Sequence, residues 1–270
     1  MIRVFPRRTS MTPTDKLAFI GDPPLFRPPD MPVRVSVAFI WDKPEGERLA
    51  RAWSQYYSDV QIGGPAYGDR GGEFIPGRFV KEGAVITSRG CIRSCGFCLV
   101  PSREGGAIRE LPIRDGWNIL DNNLLACSGK HLYRVFDMLA RQPKAAIFSG
   151  GLDCRLLQSW HVELFHSTAV GSMFFACDTP GAIAHLRRCA DLLRNFSREK
   201  KRCYVLIGWN GETLERAETR LKEVYALNFL PFAMLYRSST ENRRYSREWS
   251  ALQKLWCRPA AYKAAMRVTQ

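Results

Sequence analysis

The sequence predicts an α/β protein organised on a parallel sheet. From residue 83 onward, short apolar runs at 83–88, 117–121, 145–149, 172–177, 203–208 and 229–235 alternate with stretches of helical spacing. Strands separated by helices are joined by crossovers, which make neighbouring strands parallel and the connections right-handed. A shorter β-α-β pattern precedes them at 33–62. A chain of 270 residues has room for one large domain, or one domain with a smaller appendage.

Residues 1–33 carry turn-forming pairs such as Gly21-Asp22-Pro23-Pro24 and Arg27-Pro28-Pro29-Asp30, and are expected to form an extended arm with little regular structure. Val33 to Trp41 reads as a buried strand from its β-branched and apolar content. Glu45 to Tyr57 has helical spacing, with Leu49, Ala52 and Trp53 on one face, and 59–62 gives a second strand ending at Gly63-Gly64-Pro65. In the later alternation, helices are expected near 130–141, 155–167, 181–195 and 212–226. Beyond Arg237 the chain turns polar over 238–244. A short helix then follows near 248–256, with Trp249, Leu252, Leu255 and Trp256 as an apolar stripe for packing. The organisation is therefore an N-terminal arm and small β-α-β unit (1–82), a core (83–237) and a basic helical tail (238–270).

No window approaches the ~20 apolar residues of a membrane span, and Met1 to Arg8 lacks the apolar core of a signal peptide. Nine cysteines is an odd number, which argues against a disulfide framework and for a reducing, cytoplasmic setting. The net charge is +14. Arg187 to Arg202 and Glu241 to Gln270 each carry seven basic and two acidic residues. Such stretches attract polyanions, making nucleic acid or a phosphorylated small molecule a reasonable substrate; a solvated, soluble face is the plainer explanation.

The sharpest chemistry lies in Gly90-Cys91-Ile92-Arg93-Ser94-Cys95-Gly96-Phe97-Cys98. Three thiols at CxxxCxxC spacing sit too close to bridge one another usefully, and they suit a metal centre. Iron–sulfur clusters are held by cysteine thiolates, usually four; with three, one iron of a cubane keeps an open position, the mark of a reactive rather than a structural site. The loop follows the apolar run 83–87, at the end of a strand, where α/β folds place reactive groups. Structural zinc with a distant fourth ligand is the competing assignment.

CxxxCxxC with an aromatic residue, Phe97, before the third cysteine resembles the signature of the radical S-adenosylmethionine (SAM) superfamily. The flanking residues Thr87 to Arg103 resemble its cobalamin-dependent and methylthiotransferase-like branch. The resemblance spans about 155 residues, 83–237, because six βα units match the partial (βα)6 TIM-like barrel of the radical SAM core. It implies one [4Fe–4S] cluster on Cys91, Cys95 and Cys98, SAM as cofactor, and an electron donor such as flavodoxin or ferredoxin. The implied reaction is cleavage of SAM to a 5′-deoxyadenosyl radical that takes a hydrogen atom from a substrate. The chain departs from that branch twice. It has no Asp-x-His-x-x-Gly motif, so cobalamin is not expected. Residues 1–90 contain no cysteine, which disfavours a methylthiotransferase's second cluster.

Further motifs fall at strand ends. Gly150 and Gly151 follow an apolar strand and, without side chains, let a ligand approach the backbone; in the resembled family such glycines meet the methionine part of SAM. An acidic residue usually follows them directly, whereas here Leu152 intervenes before Asp153. Asp178 ends the next strand and is placed to accept a ribose hydroxyl, or simply to start the helix after Pro180. Gly208 lies in a segment resembling the adenine-facing fifth strand. Arg237 ends the sixth, where it would face a substrate anion or the SAM carboxylate. Of the remaining cysteines (Cys127, Cys154, Cys177, Cys189, Cys203, Cys257), none forms a second close pair, and buried thiols are their simplest description. A non-catalytic iron–sulfur or zinc protein that binds nucleic acid through its basic faces is the alternative to the enzyme.

Overall fold

The computed structural model describes residues 1–238 and 244–268. Its first unit contains β1 (Ile2–Phe5), β2 (Ala18–Ile20), β3 (Val33–Ser36), α1 (Lys43–Ser54) and β4 (Val60–Gly63). The four strands form one parallel sheet in the order β2-β1-β3-β4. The expected irregular N-terminal arm is thus corrected: two of the four strands come from residues 1–33. β1 is buried along its whole length, and the Arg3 guanidinium inside it is paired with Asp15 and with the carbonyls of Gly77 and Arg78. A polar residue in a buried strand and a strand of four residues both escape a reading by periodicity. α1 lays Leu49 and Trp53, both fully buried, on the sheet, and the Trp53 indole donates to the Gly21 carbonyl at 3.1 Å.

The second unit follows with β5 (Ala84–Val85), β6 (Ser88–Arg89), α2 (Val100–Glu104), β7 (Arg109–Glu110), β8 (Asn118–Ile119) and α3 (Gly129–Ala140). It continues through β9 (Ala146–Leu152), α4 (Ser159–His166), β10 (Val170–Ala176) and α5 (Ala182–Leu192), then β11 (Lys201–Ile207), α6 (Leu214–Ala226) and β12 (Leu230–Leu235). α7 (Arg247–Trp256) and α8 (Pro259–Val268) close the chain. Six strands form a parallel sheet in strict chain order, β5-β8-β9-β10-β11-β12, as expected of an α/β chain. β6 and β7 make a separate antiparallel pair.

The first two core strands are shorter than expected, for a local reason. The amide and hydroxyl of Thr87 and the hydroxyl of Ser88 all donate to the buried Asp121 carboxylate at 2.6 Å. Side-chain bonds replace the ladder there. β9 is longer than expected and carries Gly150 and Gly151 inside the strand. α4 starts later, where Gln158 and His161 cap it reciprocally. α8 begins at Pro259, a favoured first-turn proline, and stacks Tyr262 on Trp256 of α7 at 5.1 Å. The two units keep separate hydrophobic cores. Among the described residues, no helix is long and apolar enough to cross a membrane.

The basic stretch 187–202 is only partly a free face. Lys201 is 1% exposed and donates to the Leu193 carbonyl. Arg188 donates to the carbonyls of Cys154, Arg155 and Leu157, and Arg198 and Arg202 lie over Tyr225 and Phe174. Arg187, Arg194 and Lys200 remain exposed. In the second basic stretch, residues 239–243 and the side chains beyond Ala265 lie outside what the structure describes.

Candidate active site

The cysteine loop leaves the sheet after β5 and is fastened at both ends. Gly90 has φ +84°, and a Cβ there would meet the Ala107 carbonyl oxygen at 2.1 Å, so the turn requires glycine. Its amide donates to the Glu104 carboxylate at 3.1 Å. That carboxylate also takes bonds from Arg89, Arg103 and Asn122. Burial pushes the Glu104 carboxyl up, but its hydrogen bonds and arginine partners outweigh this and hold it below the usual range. Across the loop, Phe97 packs edge-on against Trp209, with centroids 5.2 Å apart. The loop after β5 is thereby tied to the turn after β11.

Cys91, Cys95 and Cys98 are half-buried, whereas Cys127, Cys154, Cys177, Cys189 and Cys203 are buried. The Sγ of Cys91 accepts the Arg93 amide at 3.4 Å and the Asn123 Nδ2 at 3.6 Å, and that of Cys98 accepts the Val100 amide at 3.5 Å. Donors aimed at sulfur stabilise thiolates and tune a cluster held by them. Burial raises the thiol pKa values of Cys95 and Cys98; charge on the neighbouring loop cysteines raises them further, while arginines nearby pull the other way. Among the described residues no three His, Cys, Asp or Glu side chains close on a single ion. A cubane asks instead for one thiolate at each of three separate irons, and the donor set, three accessible thiols on one fastened loop, fits that chemistry.

Sequence reasoning missed the polar cluster beside these thiols. Arg93 Nε donates to Asp153 at 2.9 Å, and Arg155 Nε does so at 2.7 Å. Asn123 Nδ2 reaches the same carboxylate at 3.4 Å. Burial pushes the Asp153 carboxyl up, but the bonds from Arg155 and Arg93 outweigh it and leave it below its ordinary value. Arg155 also acts on Cys95, where its charge partly offsets the larger effect of burial, which leaves the thiol pKa raised. Apart from the local Asp153–Arg155 pair, two residues apart, these contacts join residues far apart in the chain, so no local pattern announces them.

The remaining candidates separate. Gly150 faces protein: a Cβ there would lie 2.3 Å from the Asp121 carbonyl oxygen, so strand packing, not ligand approach, requires that glycine. Gly151 has φ +117° with nothing within 4 Å of where its Cβ would be, and it alone of the pair leaves open space. Asp178 Oδ1 accepts the Leu206 amide at 2.9 Å. Burial raises its pKa, partly countered by that bond and by the charges of Arg220 and Arg155. It is close enough to Cys95 to raise that thiol's pKa as well. Gly208, at φ +79°, is covered by Tyr245, whose ring would lie 2.8 Å from an added Cβ. Arg237 lies over the Trp41 ring at 4.7 Å, next to the first unit.

The carboxyl ends of β5, β9 and β10 thus bring Cys91, Cys95, Cys98, Phe97, Gly151 and Asp178 to one end of the sheet, with Trp209 after β11 against Phe97. No protein-family model matches the chain, and no curated protein matches it.

Proposed function

We propose that this chain is a radical SAM enzyme on a partial (βα)6 barrel, with Cys91, Cys95 and Cys98 as ligands of a [4Fe–4S] cluster. The observation that carries it is the position of the three accessible thiols: one fastened loop at the carboxyl end of a six-stranded, all-parallel sheet in chain order. When bound, the cluster and SAM supply one-electron cleavage to a 5′-deoxyadenosyl radical for hydrogen-atom abstraction. The chain's own part is placement. Glu104 holds the loop's entry through the Gly90 amide, and Phe97 with Trp209 covers its other side. Asn123 and the Arg93 and Val100 amides donate to the sulfurs. Gly151 offers open backbone for SAM, and Asp178 keeps Oδ2 without a hydrogen-bond partner among the described residues for a ribose hydroxyl.

The substrate is proposed to be a nucleic acid or a phosphorylated small molecule, from the chain's +14 charge. An electron donor such as flavodoxin or ferredoxin, and a cytoplasmic setting, belong to the same proposal. The test is anaerobic reconstitution with iron and sulfide. Broad thiolate-to-iron absorbance at roughly 400 nm is expected, lost when any of the three cysteines becomes Ala. SAM is expected to perturb the reduced cluster's EPR signal. Full iron retention in the triple Ala variant, or stoichiometric zinc with no SAM response, would replace this proposal with a structural metal site.

A further inference from the structure

A cavity of about 500 Å³, which none of the three loop cysteines lines, lies at the carboxyl ends of β1, β3 and β4. Its floor comes from Phe5 to Arg7 at and after the end of β1, Ser36 and Phe39 at and after β3, and Gly63-Gly64 at the end of β4. The opposite wall is the 69–80 segment with Ile86 and Arg89 of the second unit. Strand order places this cavity meaningfully. In β2-β1-β3-β4 the chain runs outward from β1 to β2, then returns to the other side for β3. The order reverses between β1 and β3, and in open parallel sheets such a switch point opens a crevice beyond the carboxyl ends where ligands bind.

The lining defines the ligand's chemistry. Phe5, Phe39, Phe74 and Phe79 supply aromatic walls, suited to a flat ring. At the rim, Arg78 makes no ion pair among the described residues; its guanidinium lies over the Phe79 ring at 5.6 Å and its Nη2 meets the Met1 sulfur at 3.8 Å. Arg89, deeper in the wall, pairs with Glu104, and its buried Nε has no hydrogen-bond partner, so it adds positive charge behind the cavity surface more than a free donor. An aromatic slot with cationic donors fits a ring joined to an anion, and the volume lies in the range of small-molecule sites. The lining contains no histidine or cysteine, and its carboxylates are already engaged, Asp42 by Arg7, Glu73 by Arg114 and Asp69 by the Gly71 amide, so an organic ligand fits better than a metal complex. We infer that this crevice binds a nucleotide, with its base between the phenylalanines and its phosphate toward Arg78 and Arg89. This site is separate from the one proposed for SAM and stands whether or not the cluster reading holds. Arg89 pairs with Glu104, the carboxylate that grips the Gly90 amide ahead of Cys91, so an occupied crevice would touch the support of the cysteine loop.

The test is equilibrium dialysis of the full chain, without cluster reconstitution, against AMP, GMP, CMP and UMP, with adenosine, inorganic phosphate and SAM as comparisons. At least one nucleotide is expected to bind with Kd below about 1 mM, and more tightly than adenosine or phosphate alone. Gly63 has ordinary backbone geometry and nothing within 4 Å of an added Cβ, so Gly63→Leu fills open space at the cavity edge without strain. Gly63→Leu and, independently, Arg78→Glu are each expected to weaken binding about tenfold or more, with an unchanged melting temperature. No nucleotide binding by about 1 mM, binding unaffected by both variants, or displacement by SAM would overturn the assignment. Loss of the cluster with nucleotide binding intact would count against the radical SAM reading alone.

Discussion

Phe97 meets Trp209 edge-on, with ring centroids 5.2 Å apart and planes at 77°. Phe97 lies between two of the loop cysteines and Trp209 in the turn after β11, so the contact spans strand ends that the sequence keeps more than a hundred residues apart. Edge-to-face pairs contribute about 0.5–1.5 kcal/mol beyond area burial. In a double-mutant cycle of Phe97→Leu and Trp209→Leu, urea unfolding is expected to give a coupling energy in that range. Strict additivity would show that the two rings merely share space.

Glu104 is the second fastening of the loop. It is buried and pairs with Arg89 and Arg103 while accepting the Gly90 and Asn122 donors. Glu104→Gln keeps the shape but removes the charge and sets an amide against two guanidinium groups. The expected loss is about 2–4 kcal/mol, somewhat under the range for fully buried pairs because both arginines keep contact with water. The sign with pH follows from its depressed folded pKa. The contribution is present above the unfolded carboxyl value near 4.5 and disappears as pH falls through the lower folded value. Wild-type and variant stabilities should therefore converge in acid; a constant gap down to pH 3 would contradict this.

Asp121 has the opposite sign. Burial raises its carboxyl to about 6 from 3.8, although the bonds from Ser88 and Thr87 partly offset the rise. Between these values the folded protein holds a proton that the unfolded chain has released. Stability contributed at this site therefore falls as pH rises from about 4 to about 6, then levels off. Relative to Asp121→Asn, wild type should lose up to about 3 kcal/mol across that window. Chemical denaturation at pH 4, 5, 6 and 7 reads the difference directly. Parallel stability curves for the two proteins would rule the effect out.

The later strands and helices were legible because each is long enough for its period to show. β9 to β12 and α3 to α6 fall within a few residues of where apolar runs and helical spacing put them. β1 and β2 were not legible: three or four residues carry no usable period, Arg3 breaks the apolar run, and proline-rich sequence around them reads as coil. α8 was missed although Pro259 and the alanines after it were available as signals. At the site, the thiols were visible from spacing alone. Their supports Glu104, Asn123, Arg93, Arg155 and Trp209 were not, because each acts through a contact that only folding creates. Gly150 and Gly151 look alike in sequence, and the Asp121 carbonyl against the first and the positive φ of the second tell them apart.

The same distinction decides how the basic stretch 187–202 should be tested. Lys201 is buried and Arg188, although exposed, is anchored to three backbone carbonyls, so reversing them should damage the fold before it affects any polyanion. Arg188→Glu is expected to lower stability by about 1–3 kcal/mol, since three carbonyls lose a charged donor. Arg187, Arg194 and Lys200 are exposed, and their reversal should leave unfolding within about 0.5 kcal/mol of wild type. If this face meets a nucleic-acid substrate, only the second set should weaken binding at constant stability. Each phosphate that the protein no longer neutralises should flatten the log–log salt dependence by about 0.7–0.9. The triple variant Arg187→Glu/Arg194→Glu/Lys200→Glu is thus expected to lower the slope by roughly 2–3 on a single-stranded RNA or duplex DNA probe. An unchanged slope, with the fold intact, would assign these charges to a solvated surface and leave the substrate to the enclosed mouth of the sheet.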